Sequence, residues 1–178
     1  MMIHLDGLYP PRSVELRHRA AIALGGNLGH PKTTLESALE AIASTPGIGL
    51  DAYSRFYETV AVGPPQPNFL NACALVSTDL TAQELLRALL DIEAQFGRIR
   101  RERWGPRSLD LDLLLFDDQV VRLPHLQIPH PRMSERAFVL VPLADVAPDW
   151  IDPISGLAIA QLLDAVDRSG VVGADTPD

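Results

Sequence analysis

A single cysteine, a single lysine and an aromatic content of only 6% are the scarcities of this 178-residue chain. The lone thiol, Cys73, has no internal disulfide partner. It lies in the apolar run from Leu70 to Val76, so a buried, reduced thiol is expected. No stretch reaches the roughly 18 apolar residues of a membrane-crossing helix. Residues 1–19 lack the apolar centre of a secretory signal and carry Pro10-Pro11 instead. A cytoplasmic protein with no membrane partner is the expectation. Positive charge is also short, with a net charge of −8, which argues against a nucleic-acid coat.

An apolar content of 47% is ordinary for a globular enzyme, and 178 residues are enough for one domain with its own core. The fifteen cations are unevenly placed. Fourteen are arginine, and five of these fall between Arg98 and Arg107. An acidic chain that concentrates arginine in one short segment is building a place for an anion.

Periodicity divides the chain into elements. The run from Ala20 to Leu24 reads as a buried strand entering the turn Gly25-Gly26-Asn27. Leu35, Ala38, Leu39 and Ile42 recur at helical spacing, with Thr33 or Thr34 as the N-cap and Pro46-Gly47 as the stop. Ile48 to Thr59 and Phe69 to Leu80 read as strands flanking a loop over Gly63 to Pro67. Thr81 caps an amphipathic helix carrying Leu85, Leu86, Leu89, Leu90, Ile92 and Phe96, with Gly97 as its stop. After the arginine-rich loop, Leu109 to Phe116 is a strand. This order predicts an α+β fold with a ferredoxin-like βαββαβ core. Additional C-terminal strands and helices follow, with helices over Phe138–Val146 and Ile159–Val166. Residues 1–18 are expected as a flexible extension, 19–168 as the one folded domain and 169–178 as a flexible tail.

The sharpest local feature is Leu109-Asp110-Leu111-Asp112-Leu113. On a strand, alternate side chains share a face, so both carboxylates project together while the leucines enter the core. Strand rise puts the two about 6–7 Å apart. Two like charges at that separation need a cation between them. Magnesium, which prefers carboxylates together with phosphate oxygens, is one answer, and ion pairing with the upstream arginines is the other. The segment from Arg98 to Arg107 supplies planar guanidinium groups suited to phosphate oxygens. Gly25-Gly26-Asn27-Leu28-Gly29 lacks both the Walker and the dinucleotide spacing, and reads as a tight turn. Phe69 and Asn71 share a strand face, where a ring and an amide could hold a flat heterocycle or simply pack. Pro129-His130-Pro131 pins a histidine in extended chain, with Arg136 and Phe138 following.

Taken together, these segments resemble the 6-hydroxymethyl-7,8-dihydropterin pyrophosphokinase family. The resemblance rests on Ala23-Leu24-Gly25-Gly26-Asn27-Leu28, Tyr57 with Thr59, Pro67-Asn68-Phe69-Leu70-Asn71-Ala72 and Gly97-Arg98. It is strongest from Arg103-Trp104-Gly105-Pro106-Arg107 to Asp112, and returns at Ile128-Pro129-His130-Pro131 and Arg136-Ala137-Phe138. It implies a pyrophosphokinase domain over 19–168, a transferase of folate biosynthesis that moves pyrophosphate from ATP to the pterin hydroxymethyl group and releases AMP. It implies Arg98, Arg107, Asp110 and Asp112 as the catalytic set, with Asp110 and Asp112 binding two magnesium ions. Arg98, Arg103, Trp104, Arg107, His130 and Arg136 would surround ATP. Thr59, Val60, Val62, Phe69, Asn71 and Phe138 would form the pterin pocket. ATP and the pterin would be the only partners of a monomer. Four departures stand out: Gly26 where a serine is common, Val60 where a proline is common, an arginine loop one residue shorter than in some members, and an extension before Arg19 without counterpart. No role is assigned to Arg100 or Arg101.

Overall fold

The computed structural model describes residues 3–4, 18–97 and 108–175. In chain order the elements are β1 (Ile3–His4), β2 (His18–Gly26), α1 (Pro31–Ser44), β3 (Ile48–Tyr53), β4 (Phe56–Thr59), β5 (Phe69–Thr78) and α2 (Ala82–Gln95). These are followed by β6 (Asp110–Phe116), β7 (Val121–Leu123), β8 (Leu126–Ile128), α3 (Ala137–Val146), α4 (Ile159–Asp164) and β9 (Val171–Asp175). A mixed α/β fold results, with four helices among the described residues. The main sheet is antiparallel in the order β1-β3-β5-β2-β6, with β4 on β5 and β9 on β4. β7 and β8 form a separate hairpin.

Apolar alternation decides which helices cover which face. On β5, Ala72, Ala74 and Val76 join the core under α1 and α2, while Cys73 and Leu75 join the core under α3 and α4. The central strand β2 is sealed from both sides, and Ala20, Ala21 and Ile22 are fully buried. That is why its sequence is a continuous apolar run rather than an alternating one. Cys73 is buried and reduced as expected, its thiol pKa pushed well up by desolvation.

Several boundaries differ from the sequence reading, each for a local reason. The expected strand Ile48–Thr59 divides at Ser54. There the Ser54 N–H donates to the Cys73 carbonyl and the Cys73 N–H donates to Ser54 Oγ, both at 2.9 Å. A hydroxyl thus stands in for a backbone acceptor, and the ladder is interrupted. Helix α1 begins at Pro31 rather than after Thr33 or Thr34. Proline already has helical φ and lacks an N–H that would go unpaired in the first turn. Thr81 caps α2 as expected, and the Glu84 side chain accepts from the Thr81 N–H in return. Val171–Asp175, read as part of a tail, is strand β9 and pairs with Phe56–Thr59. The outer edge of β4 otherwise exposes a row of unpaired polar groups, and β9 satisfies them. Ile3 and His4, within the expected extension, pair with Tyr53 and Ala52.

Candidate active site

β2 lies between β5 and β6, and its C-terminal half sets the geometry of the site. Gly25 pairs with Asn71 on one side and with Asp110 on the other, and Ala23 pairs with Cys73 and Asp112. Directly opposed residues in antiparallel strands point to the same face. Asn71, Gly25 and Asp110 therefore form one row, and Cys73, Ala23 and Asp112 the next. Both rows face α3. Two strand spacings separate Asn71 from Asp110, or about 10 Å.

Within β6 the expected alternation is present: Leu111 and Leu113 are buried, whereas Asp110 and Asp112 are half-buried. The segment before α3 brings further groups to this end. The His130 N–H donates to the Leu114 carbonyl at 3.0 Å, which fastens the histidine to β6 just beyond Asp112. Its Nδ1 accepts from the Arg132 N–H at 3.3 Å. The ring is thereby held as the tautomer with its proton on Nε2, a donor available to an anion. Burial, together with Arg136 and Arg132, lowers the His130 pKa against the opposing pull of Asp112. Arg136 is lowered mainly by desolvation, and its guanidinium lies 5.4 Å from the Phe138 ring centroid.

On the β4–β5 side, Thr59 is opposite Phe69 and both belong to the same sheet face as Asn71. Asn71 is 8% exposed and its Nδ2 donates to Thr59 Oγ1 at 2.6 Å. The donation orients the amide, leaving its carbonyl oxygen toward Gly25. A Cβ on Gly25 would come within 2.6 Å of Asn71 Oδ1, so the missing side chain keeps this floor open. Val60 and Val62 are 53% and 65% exposed. The Val60 N–H is donated to the Gly170 carbonyl, so the backbone contribution of Val60 to a pocket is its carbonyl. Buried Asn27 donates to Gln66 Oε1 and to the Pro67 carbonyl, both at 2.9 Å, and so latches the turn after β2 to the Gly63–Pro67 loop.

The structure thus brings Asp110, Asp112, His130, Arg136, Thr59, Phe69, Asn71 and Phe138 to one side of the sheet. The expected Arg98, Arg103, Trp104 and Arg107 lie outside the described residues. Gly25, Asn27 and Glu93 were not singled out as site residues from the sequence. Glu93 is 2% exposed and its Oε2 accepts from the Leu111 N–H at 2.8 Å. Its signal was a carboxylate one turn after Leu89 on the apolar stripe of α2. As for a metal, no group of three or more His, Cys, Asp or Glu converges among the described residues. Two hard oxygen donors on one face do not make a cage by themselves, but they fit magnesium carried on phosphate oxygens.

Residues 21–148 match the 7,8-dihydro-6-hydroxymethylpterin-pyrophosphokinase family. This chain belongs to that family. It is accordingly an enzyme, a pyrophosphokinase. A 2-amino-4-hydroxy-6-hydroxymethyldihydropteridine pyrophosphokinase from Synechocystis is 48% identical over 154 residues, covering 86% of this chain and 79% of the relative. The enzyme of that name from Pseudomonas aeruginosa is 46% identical over 154 residues, covering 86% and 94%. Among solved structures, an HPPK-DHPS of Plasmodium falciparum superposes with a TM-score of 0.66 at 14% identity, which speaks for the fold alone. That superposition covers 83% of this chain and 43% of the longer one.

Proposed function

We infer that the chain transfers the pyrophosphoryl group of ATP to the hydroxymethyl group of 6-hydroxymethyl-7,8-dihydropterin in folate biosynthesis, with AMP as the second product. The observation that carries this reading is the row Asn71–Gly25–Asp110. An amide suited to a heterocycle edge and a carboxylate suited to a phosphate-bound metal lie on one face, separated by a residue without a side chain.

In this reading Asp110 and Asp112 hold two magnesium ions together with the ATP phosphates. When bound there, the metal neutralises phosphate charge and makes a coordinated hydroxyl more acidic. Arg98 and Arg107 contact the phosphates, and Arg103, Trp104, His130 and Arg136 surround the nucleotide. Phe69 and Phe138 flank the pterin ring, Asn71 hydrogen-bonds its edge, and Thr59, Val60 and Val62 line the pocket. The pterin oxygen attacks the β-phosphorus of ATP. The bond from that phosphorus to the oxygen bridging to the α-phosphate breaks, AMP departs with the electron pair, and the hydroxyl proton is released to solvent. Reactions of this class need mainly positioning and charge neutralisation, so no side chain is assigned as an obligatory base.

The finer architectural reading is a ferredoxin-like core. It is supported by the chain order β2-α1-β3-β5-α2-β6 with the sheet order β3-β5-β2-β6, both helices lying over one face. We take 19–168 as the body of the pyrophosphokinase domain, with β9 completing its sheet beyond that bound, acting as a monomer in the cytoplasm. No helix of the described residues is long and apolar enough to cross a membrane. The test is the nucleotide released from ATP with magnesium and the reduced hydroxymethylpterin. AMP formed only when pterin is present supports the reading, and ADP, or release without pterin, refutes it.

A further inference from the structure

We propose that Glu93 is a positioning residue for the Asp110–Asp112 pair, acting through the peptide group between them. Among the described residues β6 ends the sheet order, with β2 as its one strand neighbour. Its outer edge therefore needs partners from elsewhere in the fold. Near the far end, His130 supplies an N–H to Leu114, and near the start Glu93 supplies a carboxylate to the Leu111 N–H. The second contact falls midway between the two aspartates. Fixing the Leu111 amide fixes the rotation of the strand at that point, and with it the direction of the side chains on either side.

The choice of residue is the informative part. Glu93 sits on the buried face of α2 beside Leu89 and Ile92 and is almost wholly enclosed. Packing α2 on β6 would be served by an apolar side chain, and enclosing a carboxylate is unfavourable unless its hydrogen bonds are made. A charge-assisted bond from a backbone N–H is shorter and stronger than a neutral one. It holds the strand where two like charges on adjacent outward positions would otherwise splay. The inference rests on the assignment of Asp110 and Asp112 given above.

Two substitutions in the full chain separate hydrogen bonding from packing. Glu93→Gln keeps an acceptor oxygen and is expected to retain kcat within about threefold. Glu93→Ala removes the acceptor. Loss of a residue supporting metal ligands typically lowers activity about 10- to 100-fold. The expectation is a fall of that size in kcat, with a higher magnesium requirement and a pterin KM changed by less than about twofold. In the nucleotide-free protein, the Leu111 amide should exchange faster in Glu93→Ala and not in Glu93→Gln, read by NMR. If Glu93→Ala does not fold, Glu93→Asp retracts the acceptor while keeping the charge, and should show the same loss of kcat. Equal damage from Glu93→Gln and Glu93→Ala would overturn the proposal. So would faster Leu111 exchange with kcat and magnesium requirement unchanged. Asp112→Asn, run in parallel, tests the underlying assignment by itself: full activity in that variant sinks the metal pair whatever Glu93 does.

Discussion

Replacing Gly25 by alanine adds one methyl group at the centre of the site. The φ of Gly25 lies outside the left-handed region, so the backbone accepts alanine and the new contact alone carries the effect. The added Cβ would sit 2.6 Å from Asn71 Oδ1, with Asn71 Cγ at 3.7 Å and the Leu70 carbonyl at 3.8 Å. The amide oxygen must retreat by about 0.8 Å to reach an ordinary contact of 3.4 Å. It has little room, because the other end of the amide is tied to Thr59 at 2.6 Å and the side chain is buried. Either the bond to Thr59 lengthens or Asn71 turns. Leaving a buried polar group unsatisfied costs about 1–3 kcal/mol, which corresponds to roughly a 5- to 150-fold change. We expect the loss in kcat/KM for the pterin, mostly as a higher KM. Nucleotide affinity should stay within about twofold, since the methyl group presses on Asn71 and not on Asp110. Steady-state kinetics with pterin varied at saturating ATP, together with calorimetric binding of ATP, separate the two. Equal losses for pterin and ATP, or wild-type kinetics, would refute the assignment of the two ends of the row.

Two further outcomes follow. Asp110→Ala and Asp112→Ala should each lower turnover by at least about 100-fold, the scale of removing a preorganised electrostatic contact, with an unchanged thermal unfolding midpoint; retained turnover in either contradicts the metal assignment. His130 should titrate below 6.5 in the nucleotide-free protein because burial disfavours its charged form. Its pKa is thus lower folded than unfolded, and the unfolded chain holds the extra proton between the two values. The stability it contributes is complete above 6.5 and declines as pH falls toward the folded value. NMR titration of the ring checks this, and a pKa above 6.5 would contradict it.

Which parts of this arrangement were legible in the sequence depended on how local their causes are. The alternation at Asp110 and Asp112 and the cap at Thr81 are written within a few residues, and the structure has both. The break at Ser54 depends on Cys73, nineteen positions away, and no feature of Ile48–Thr59 announces it. Strand β9 was missed because Val171–Asp175 is short and interrupted by Gly173, with no clear alternation; it is ordered by the edge that β4 offers. The row Asn71–Gly25–Asp110 is a matter of register across three strands, which no single segment encodes. Asn71 and the aspartates could be chosen singly, but their common face and spacing could not. Glu93 is the intermediate case. A charge on an apolar helical stripe is visible, while its partner at Leu111 comes only with the packing of α2 on β6.

The most direct test of the central claim is 31P NMR of a reaction containing ATP, magnesium and 6-hydroxymethyl-7,8-dihydropterin. The account predicts AMP and a pterin diphosphate in equal amounts, with no consumption of ATP when pterin is omitted. A pterin monophosphate with ADP, or release of inorganic phosphate from ATP alone, would contradict it.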